Sequence, residues 1–116
     1  DNNLSGTIGT EIGYLRQARD IFLDSNRFVG TIPTTVGKLE NLARMDLSTN
    51  FFTGTIPREL GQCTKLMRLN LSRNALHGTF PLSLFKLKKL RFLKMSENLL
   101  SGTIPSGFAQ GIGNFW

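Results

Sequence analysis

The sequence repeats itself every 24 residues. Asparagine carries the repeat most plainly, and a glycine, a threonine and a proline keep the same spacing in nearly every unit. The repeated asparagines are Asn2, Asn26, Asn50, Asn74 and Asn98. A unit of this length cannot close a hydrophobic core by itself, so neighbouring units must stack and bury their apolar faces against each other. The repeat therefore predicts a solenoid that is built from nearly identical rungs.

Within each unit, leucine-type residues follow the pattern x-x-L-G-x-L-x-x-L-x-x-L-x-L-S-x-N-x-L-x-G-x-I-P. The alternating segment Met45-Asp46-Leu47 is typical of a short strand whose successive side chains point to opposite faces. We expect one domain over residues 1–116, which belongs to a longer array because no cap-like segment precedes Asn2. Its full units are residues 10–33, 34–57, 58–81 and 82–105, with a partial unit at 1–9 and a degenerate end at 106–116.

This pattern resembles the plant-type leucine-rich repeat, which is found in the ectodomains of plant receptor-like kinases and receptor-like proteins and in polygalacturonase-inhibiting proteins. It is also similar to repeats of algal and diatom proteins. The resemblance implies an α/β repeat solenoid, a right-handed superhelix with a parallel sheet on its concave side. It further implies short second strands on one flank, 3-10 or irregular turns on the convex side, and an internal ladder of the five asparagines. Amide chemistry agrees with a ladder, since an asparagine side chain donates to a carbonyl and accepts from a backbone amide.

The inward positions of two consecutive units define the expected core. They are Val36, Leu39, Leu42, Met45, Leu47, Phe52 and Ile56 in one unit, and Leu60, Cys63, Leu66, Leu69, Leu71, Leu76 and Phe80 in the next. One row of this core should contain Leu23, Leu47, Leu71 and Met95. Cys63 stands at a leucine position, which predicts a buried thiol rather than a reactive one.

The outward positions of the same strands define a candidate binding surface. Arginines stand there beside Phe22, Met67 and Phe92, and these residue types are enriched at protein interfaces. The predicted partner-binding set is Arg19, Asp20, Phe22, Arg44, Asp46, Met67, Arg68, Asn70, Arg91, Phe92 and Lys94, and Ser48 and Ser72 are expected to point outward beside it. We therefore predict a non-catalytic module of the receptor, inhibitor or scaffold type, which binds a protein or peptide through its concave sheet.

The uneven charge distribution has two interpretations, an acidic partner at the basic end of the chain and, in preference, a solvated basic face. Residues 59–116 carry eight basic and two acidic side chains, and so account for the whole net charge of +6. The guanidinium groups of three successive rungs would contact an acidic, extended partner that crosses the sheet. These three residues are Arg44, Arg68 and Arg91. The lysines that follow Pro81 are interpreted as a solvated group on the convex side, and they are Lys86, Lys88 and Lys89.

The flank offers an alternative surface. Alternation along each flank strand points two residues outward, and threonine fills most of these places. The threonines are Thr7, Thr31, Thr53, Thr55, Thr79 and Thr103. Such columns are similar to those of ice-binding solenoids, so an ice-binding or structural surface is one alternative function. A second alternative is a scaffold subunit of a large complex.

Composition disfavours other classes of function. One histidine and one cysteine are too few for a zinc cage and for most histidine-dependent catalysis, so we expect neither enzyme activity nor a metal or other cofactor. Basic residues without a recognised motif do not indicate nucleic-acid binding. No apolar run approaches the ~18 residues that a membrane span needs. Sequons at Asn3 and Asn70 indicate a glycoprotein of the secretory pathway, with an extracellular or cell-surface location.

Overall fold

The computed structural model describes residues 2–108, 112, 114 and 115. Over this part of the chain, each repeat contributes a 3-10 helix, a concave strand and a flank strand. The concave strands are β2 (Asp20–Phe22), β4 (Arg44–Asp46), β6 (Arg68–Asn70), β8 (Phe92–Lys94) and β10 (Asn114–Phe115). The flank strands are β1 (Ser5–Thr7), β3 (Arg27–Thr31), β5 (Phe51–Thr53), β7 (His77–Gly78) and β9 (Leu99–Leu100). The 3-10 helices are η1 (Thr10–Tyr14), η2 (Thr34–Lys38), η3 (Arg58–Gln62) and η4 (Leu82–Lys86).

The concave strands form one parallel sheet in which each strand pairs with the equivalent strand of the next repeat. Asp20 pairs with Arg44, Arg44 with Arg68, and Arg68 with Phe92. The repeat length of the sequence thus sets the register of the sheet directly. The 3-10 helices stack on one another on the opposite side. The chain is the α/β repeat solenoid that the repeat predicts.

The predicted core is confirmed. Every inward position of the two consecutive units is buried, from 0% exposed for Leu39 to 7% for Phe80. In the predicted row, Leu47 and Leu71 are fully buried and Met95 is 6% exposed, whereas Leu23 is half-buried. Side chains of successive rungs therefore fill one continuous apolar interior, as a stacked array requires.

Cys63 belongs to this interior and not to a reactive site. Its thiol is fully buried, and the Sγ–H donates to the carbonyl of Val36 at 3.2 Å. Burial raises the pKa of Cys63 to about 11, since an apolar environment disfavours the thiolate. Because the thiolate is the nucleophile, this environment suppresses the reactivity of the thiol.

Asparagine side chains form a ladder through the coil. In each rung, Oδ1 accepts a backbone N–H from the previous rung and Nδ2 donates to nearby carbonyls. For Asn50, the N–H of Phe28 donates to Oδ1 at 3.0 Å, and Nδ2 donates across the rung to the carbonyl of Leu23 at 2.9 Å. Asn26, Asn50, Asn74 and Asn98 all make such bonds. Asn2 is exposed, and the positions equivalent to these partners precede residue 1, so its ladder role stays a prediction.

Candidate functional site

The concave sheet carries two rows of side chains that run across the strands. Equivalent residues of successive repeats become neighbours because the strands pair in the register of the repeat. The first row is Asp20, Arg44, Arg68 and Phe92, and the second is Phe22, Asp46, Asn70 and Lys94. All eight side chains are exposed or half-buried. The structure therefore brings most of the predicted partner-binding set onto one surface.

Arg44 forms an ion pair with Asp20 across neighbouring strands. Its Nε donates to Oδ1 and its Nη2 to Oδ2 of Asp20, both at 2.7 Å. This bidentate hydrogen bond lowers the pKa of Asp20 and raises the pKa of Arg44. The Arg44 guanidinium also lies over the ring of Phe22, with Cζ 5.5 Å from the ring centroid. The charge of Arg44 is thus already compensated within the protein.

Arg68, on the next strand, has no such compensation. Over the part of the chain that the structure describes, the ion pairs join other residues, and none includes Arg68. Its guanidinium instead lies over the ring of Phe92, with Cζ 4.4 Å from the centroid. A ring contact of this kind holds the planar guanidinium by its face and leaves its in-plane N–H donors for an acceptor. Arg68 is therefore a positioned cation without an anion.

Two serines beside these rows do not point outward as predicted. Ser48 and Ser72 are only 8% and 4% exposed. Each hydroxyl donates to the side-chain oxygen two residues earlier, at 2.6 Å to Asp46 Oδ1 and at 2.8 Å to Asn70 Oδ1. The Nδ2 of Asn70 donates in turn to Asp46 Oδ2 at 3.0 Å. These bonds turn the two serine hydroxyls toward the sheet and hold the side chains of Asp46 and Asn70 in place, so that the four residues form the polar floor of the concave surface.

A shallow hollow of about 240 Å³ opens on the concave face between these groups. Its exposed lining consists of Phe22, Arg44, Asp46, Arg68, Asn70 and Phe92. Two arginines and two phenylalanines around a polar floor suit a carboxylate that adjoins an apolar group.

The structure separates Arg91 from the row that contains Arg68. Arg68 pairs in register with Phe92, so Arg91 lies one position before the row. Its Nη1 donates to the carbonyls of Lys88 and Leu90, both at 3.1 Å. Arg91 thus lies on the rung after Arg68, as predicted, but outside the row, and its side chain caps the turn that precedes β8.

The residues immediately before the concave strands and at their start form the entry edge of the sheet. A second hollow, of about 330 Å³, lies at this entry edge. It is lined by Arg19, Asn41, Ala43, Lys65, Met67 and Lys89. The placement of Lys89 on the convex side is therefore wrong. Lys89 follows Lys65 by one repeat and shares its column at this edge.

The flank threonines are exposed, as predicted, but they do not stack in uniform columns. The flank strands pair with a shift of two residues relative to the repeat, so that Thr7 lies beside Val29 and Thr55 beside His77. Only Thr31 among the flank threonines in paired strands faces another threonine, Thr53. The sequence alone did not indicate this shift, because a threonine at the same place in every repeat suggests a straight column.

These threonines also have a packing role that sequence reasoning missed. Gly54 adopts a φ of +76°, and a Cβ added there would lie 2.8 Å from the Cγ2 methyl of Thr31. The threonine methyl thus covers the glycine of the next rung, which explains why the two residues recur together. The other pairs are Thr7 with Gly30, Thr55 with Gly78 and Thr79 with Gly102.

The two sequons differ in their surroundings. Asn3 is exposed, whereas Asn70 is half-buried and its amide is hydrogen-bonded to Asp46. Use of either sequon stays a prediction. Within the described ranges, no group of three or more His, Cys, Asp and Glu side chains is placed to hold a metal ion. A search of the same residues finds no helix with the length and apolar character of a membrane span.

Known structures resemble the chain over nearly its whole length. The plant peptide hormone receptor RGFR1 in complex with RGF2 shares 38% identity at a TM-score of 0.92, and covers 97% of this chain and 18% of its own. The ectodomain of the receptor kinase SOBIR1 from Arabidopsis thaliana shares 32% identity at a TM-score of 0.90, and the match covers 97% of this chain and 63% of the SOBIR1 chain. A plant ice-binding protein shares 32% identity at a TM-score of 0.89, and the match covers 97% of this chain and 37% of the ice-binding chain. The chain thus spans less than two thirds of each of these proteins.

Sequence comparison points to the same family. Residues 16–76 match the family described as leucine rich repeat, and residues 89–110 match a second leucine rich repeat description. No curated protein matches the chain. The chain belongs to the leucine-rich repeat family, in the plant type that is represented by receptor ectodomains.

Proposed function

We propose that this chain is a non-catalytic recognition module that binds an acidic segment of a protein or peptide on its concave face. The observation that carries the proposal is Arg68, a cation held by Phe92 without an anionic partner, beside an Arg44 that Asp20 already compensates. An exposed guanidinium that an aromatic ring holds in one orientation is the kind of group on which binding energy concentrates.

The net charge supports the same choice of partner. The two rows of the concave sheet and the lining of the entry-edge hollow together contain six basic and two acidic side chains. The basic residues are Arg19, Arg44, Lys65, Arg68, Lys89 and Lys94, and the acidic ones are Asp20 and Asp46. Charge of one sign on one face attracts and orients a partner of the opposite sign.

Related structures agree with a peptide or protein partner. One is a receptor in complex with RGF2, another is the complex PEPR1-AtPEP1, and a third is a complex of BIR3 with SERK2. By analogy with these receptor ectodomains, we infer a secreted or cell-surface location for this chain.

A binding measurement tests the concave face. Peptides are first selected from a random library against the unaltered chain, and we expect aspartate and glutamate to be enriched in them. The double variant Arg68→Glu with Phe92→Ala should then bind the selected peptides with at least ~2 kcal/mol less free energy, because it reverses the cation and removes the ring that holds it. Titration calorimetry at low and high salt gives the affinities, and salt should weaken the unaltered complex.

The matched control is Lys38→Gln with Lys86→Gln, which removes two exposed charges from η2 and η4 on the convex side. It should leave the affinity within about a factor of two. Selected peptides that lack acidic residues, or a larger loss with the convex variant, would place the binding surface elsewhere.

Ice binding by the flank is a second candidate, and one of the similar structures is a plant ice-binding protein. The geometry of this chain favours it less, since Val29 and His77 interrupt the threonines in register. Flat, uniform rows are what a crystalline surface can match. We therefore expect the unaltered chain to show no thermal hysteresis in a nanolitre osmometer, and measurable hysteresis would move the function to the flank.

A further inference from the structure

We propose that the entry-edge hollow is a second subsite, which binds an apolar side chain flanked by carboxylates. This inference rests on the proposed function, because it assigns the second subsite to the same acidic polypeptide segment. The occupant is a polypeptide in which one apolar residue lies between two acidic residues.

Three cations surround the hollow. Arg19, Lys65 and Lys89 contribute to its lining, and no carboxylate is among the residues that the structure places there. Lys65 is held in position, since its Nζ donates to Asn41 Oδ1 at 2.7 Å. Asn41 is fixed in turn by its Nδ2, which donates to the carbonyl of Arg16 at 2.9 Å. An ammonium has three donors, so Lys65 retains two for a ligand.

Part of the lining of the hollow is apolar. Met67 is 48% exposed, and Ala43 lies beside it in the preceding repeat. Methionine is flexible and polarisable, and adapts its shape to an apolar side chain. A polyanion without apolar groups would satisfy the cations and leave Met67 uncovered. A lining of cations beside exposed apolar surface therefore favours a peptide that alternates acidic and apolar residues.

The entry-edge hollow is continuous with the concave hollow. A third depression, of about 470 Å³, lies between them and is lined by Arg19, Asp20, Ala43, Arg44 and Met67. It shares Arg44 with the concave hollow, and shares Arg19, Ala43 and Met67 with the entry-edge hollow. Met67 of the entry-edge hollow and Arg68 of the concave hollow are consecutive residues whose Cα atoms lie about 3.8 Å apart, well within the ~23 Å that an extended heptapeptide spans. One short segment is thus long enough to occupy both subsites.

Fluorescence anisotropy with defined probes tests the inference. The probes are a labelled acidic heptapeptide with leucine at its centre, the same peptide with serine at its centre, and poly-glutamate. We expect the unaltered chain to bind the leucine peptide about tenfold more tightly than the serine peptide. Met67→Ser should abolish this preference, and Met67→Leu should retain it. The double variant Lys65→Gln with Lys89→Gln should bind both heptapeptides about tenfold more weakly. The control Lys38→Gln with Lys86→Gln should leave the affinity for both heptapeptides unchanged.

The outcomes separate the two proposals. Loss of binding in Arg68→Glu with Phe92→Ala, but in none of the entry-edge variants, would overturn the second subsite and leave the concave site standing. Loss in the entry-edge variants alone would support the second subsite and overturn the concave one. Equal affinity for the two heptapeptides, or a preference for poly-glutamate, would show that the surface attracts charge alone and would overturn the inference. Circular dichroism and the thermal midpoint confirm that each variant is folded.

Discussion

Asn50→Ala should lower the free energy of unfolding by about 3–4 kcal/mol, measured by urea denaturation. The side chain makes four hydrogen bonds in the interior, and alanine makes none of them. The N–H of Phe28 loses the partner that Oδ1 supplies, which costs about 1–3 kcal/mol for a buried donor. Each of the three carbonyls keeps another donor, since Leu23, Leu47 and Ser48 also accept from Asn26, Asn74 and Ser25 respectively. Their weakened bonding and the space left by the amide add the remainder.

Two variants make this result specific to the ladder. Asn2→Ala, at the exposed equivalent in the first rung, should change stability by less than about 0.5 kcal/mol. Asn50→Asp keeps the acceptor for Phe28 but directs a carboxylate at three carbonyl oxygens, so it should be at least as destabilising as alanine at neutral pH. If Asn50→Ala is instead as stable as Asn2→Ala, the ladder bonds contribute little and apolar stacking alone holds the rungs together.

The fold follows from the sequence because one physical requirement recurs in every unit. Each leucine-type column must face inward for any unit to bury its apolar surface, and the concave strands must then pair at the repeat spacing. This is why Leu69, Arg68 and the five-residue helix Arg58–Gln62 could all be placed from their positions in the pattern. Each of these assignments follows from the position of the residue in the repeat, because every repeat stacks on its neighbours in the same way.

The site was less predictable because it depends on contacts between different repeats. The pattern marks Arg44 and Arg68 as equivalent, yet only Arg44 has an aspartate in register on the preceding strand. A serine after an alternating strand is expected to point outward, and Ser48 instead turns inward to reach Asp46. The two-residue shift of the flank strands has no signal in a sequence whose columns are all spaced alike. Each of these features is set by a pair of residues rather than by one position.

Gly61→Ala should lower the free energy of unfolding by about 2–3 kcal/mol, because successive 3-10 helices leave no room for a methyl group. A Cβ at this position would lie 2.5 Å from the carbonyl oxygen of Ser83 and 2.8 Å from its Cβ in the next rung. Backbone atoms cannot rotate away, so the rungs must separate and lose core contacts. Gly107→Ala is the control, since a Cβ there meets no atom within 4 Å and should change stability by about 0.5 kcal/mol or less.

One repeat after Gly61, the equivalent position carries a large side chain, which shows when this column accepts one. Gly13, Gly37 and Gly61 all lie under a following 3-10 helix, and a Cβ at each would lie within 3 Å of that helix. The equivalent residue of the fourth unit is Phe85, and residues 106–108 form a turn where the next helix would lie. The ring of Phe85 packs there against Phe108, with centroids 5.1 Å apart. A side chain is thus accepted in this column where a turn follows at residues 106–108. Equal stability of Gly61→Ala and Gly107→Ala would mean that the rungs separate easily and that helix stacking does not require glycine in this column.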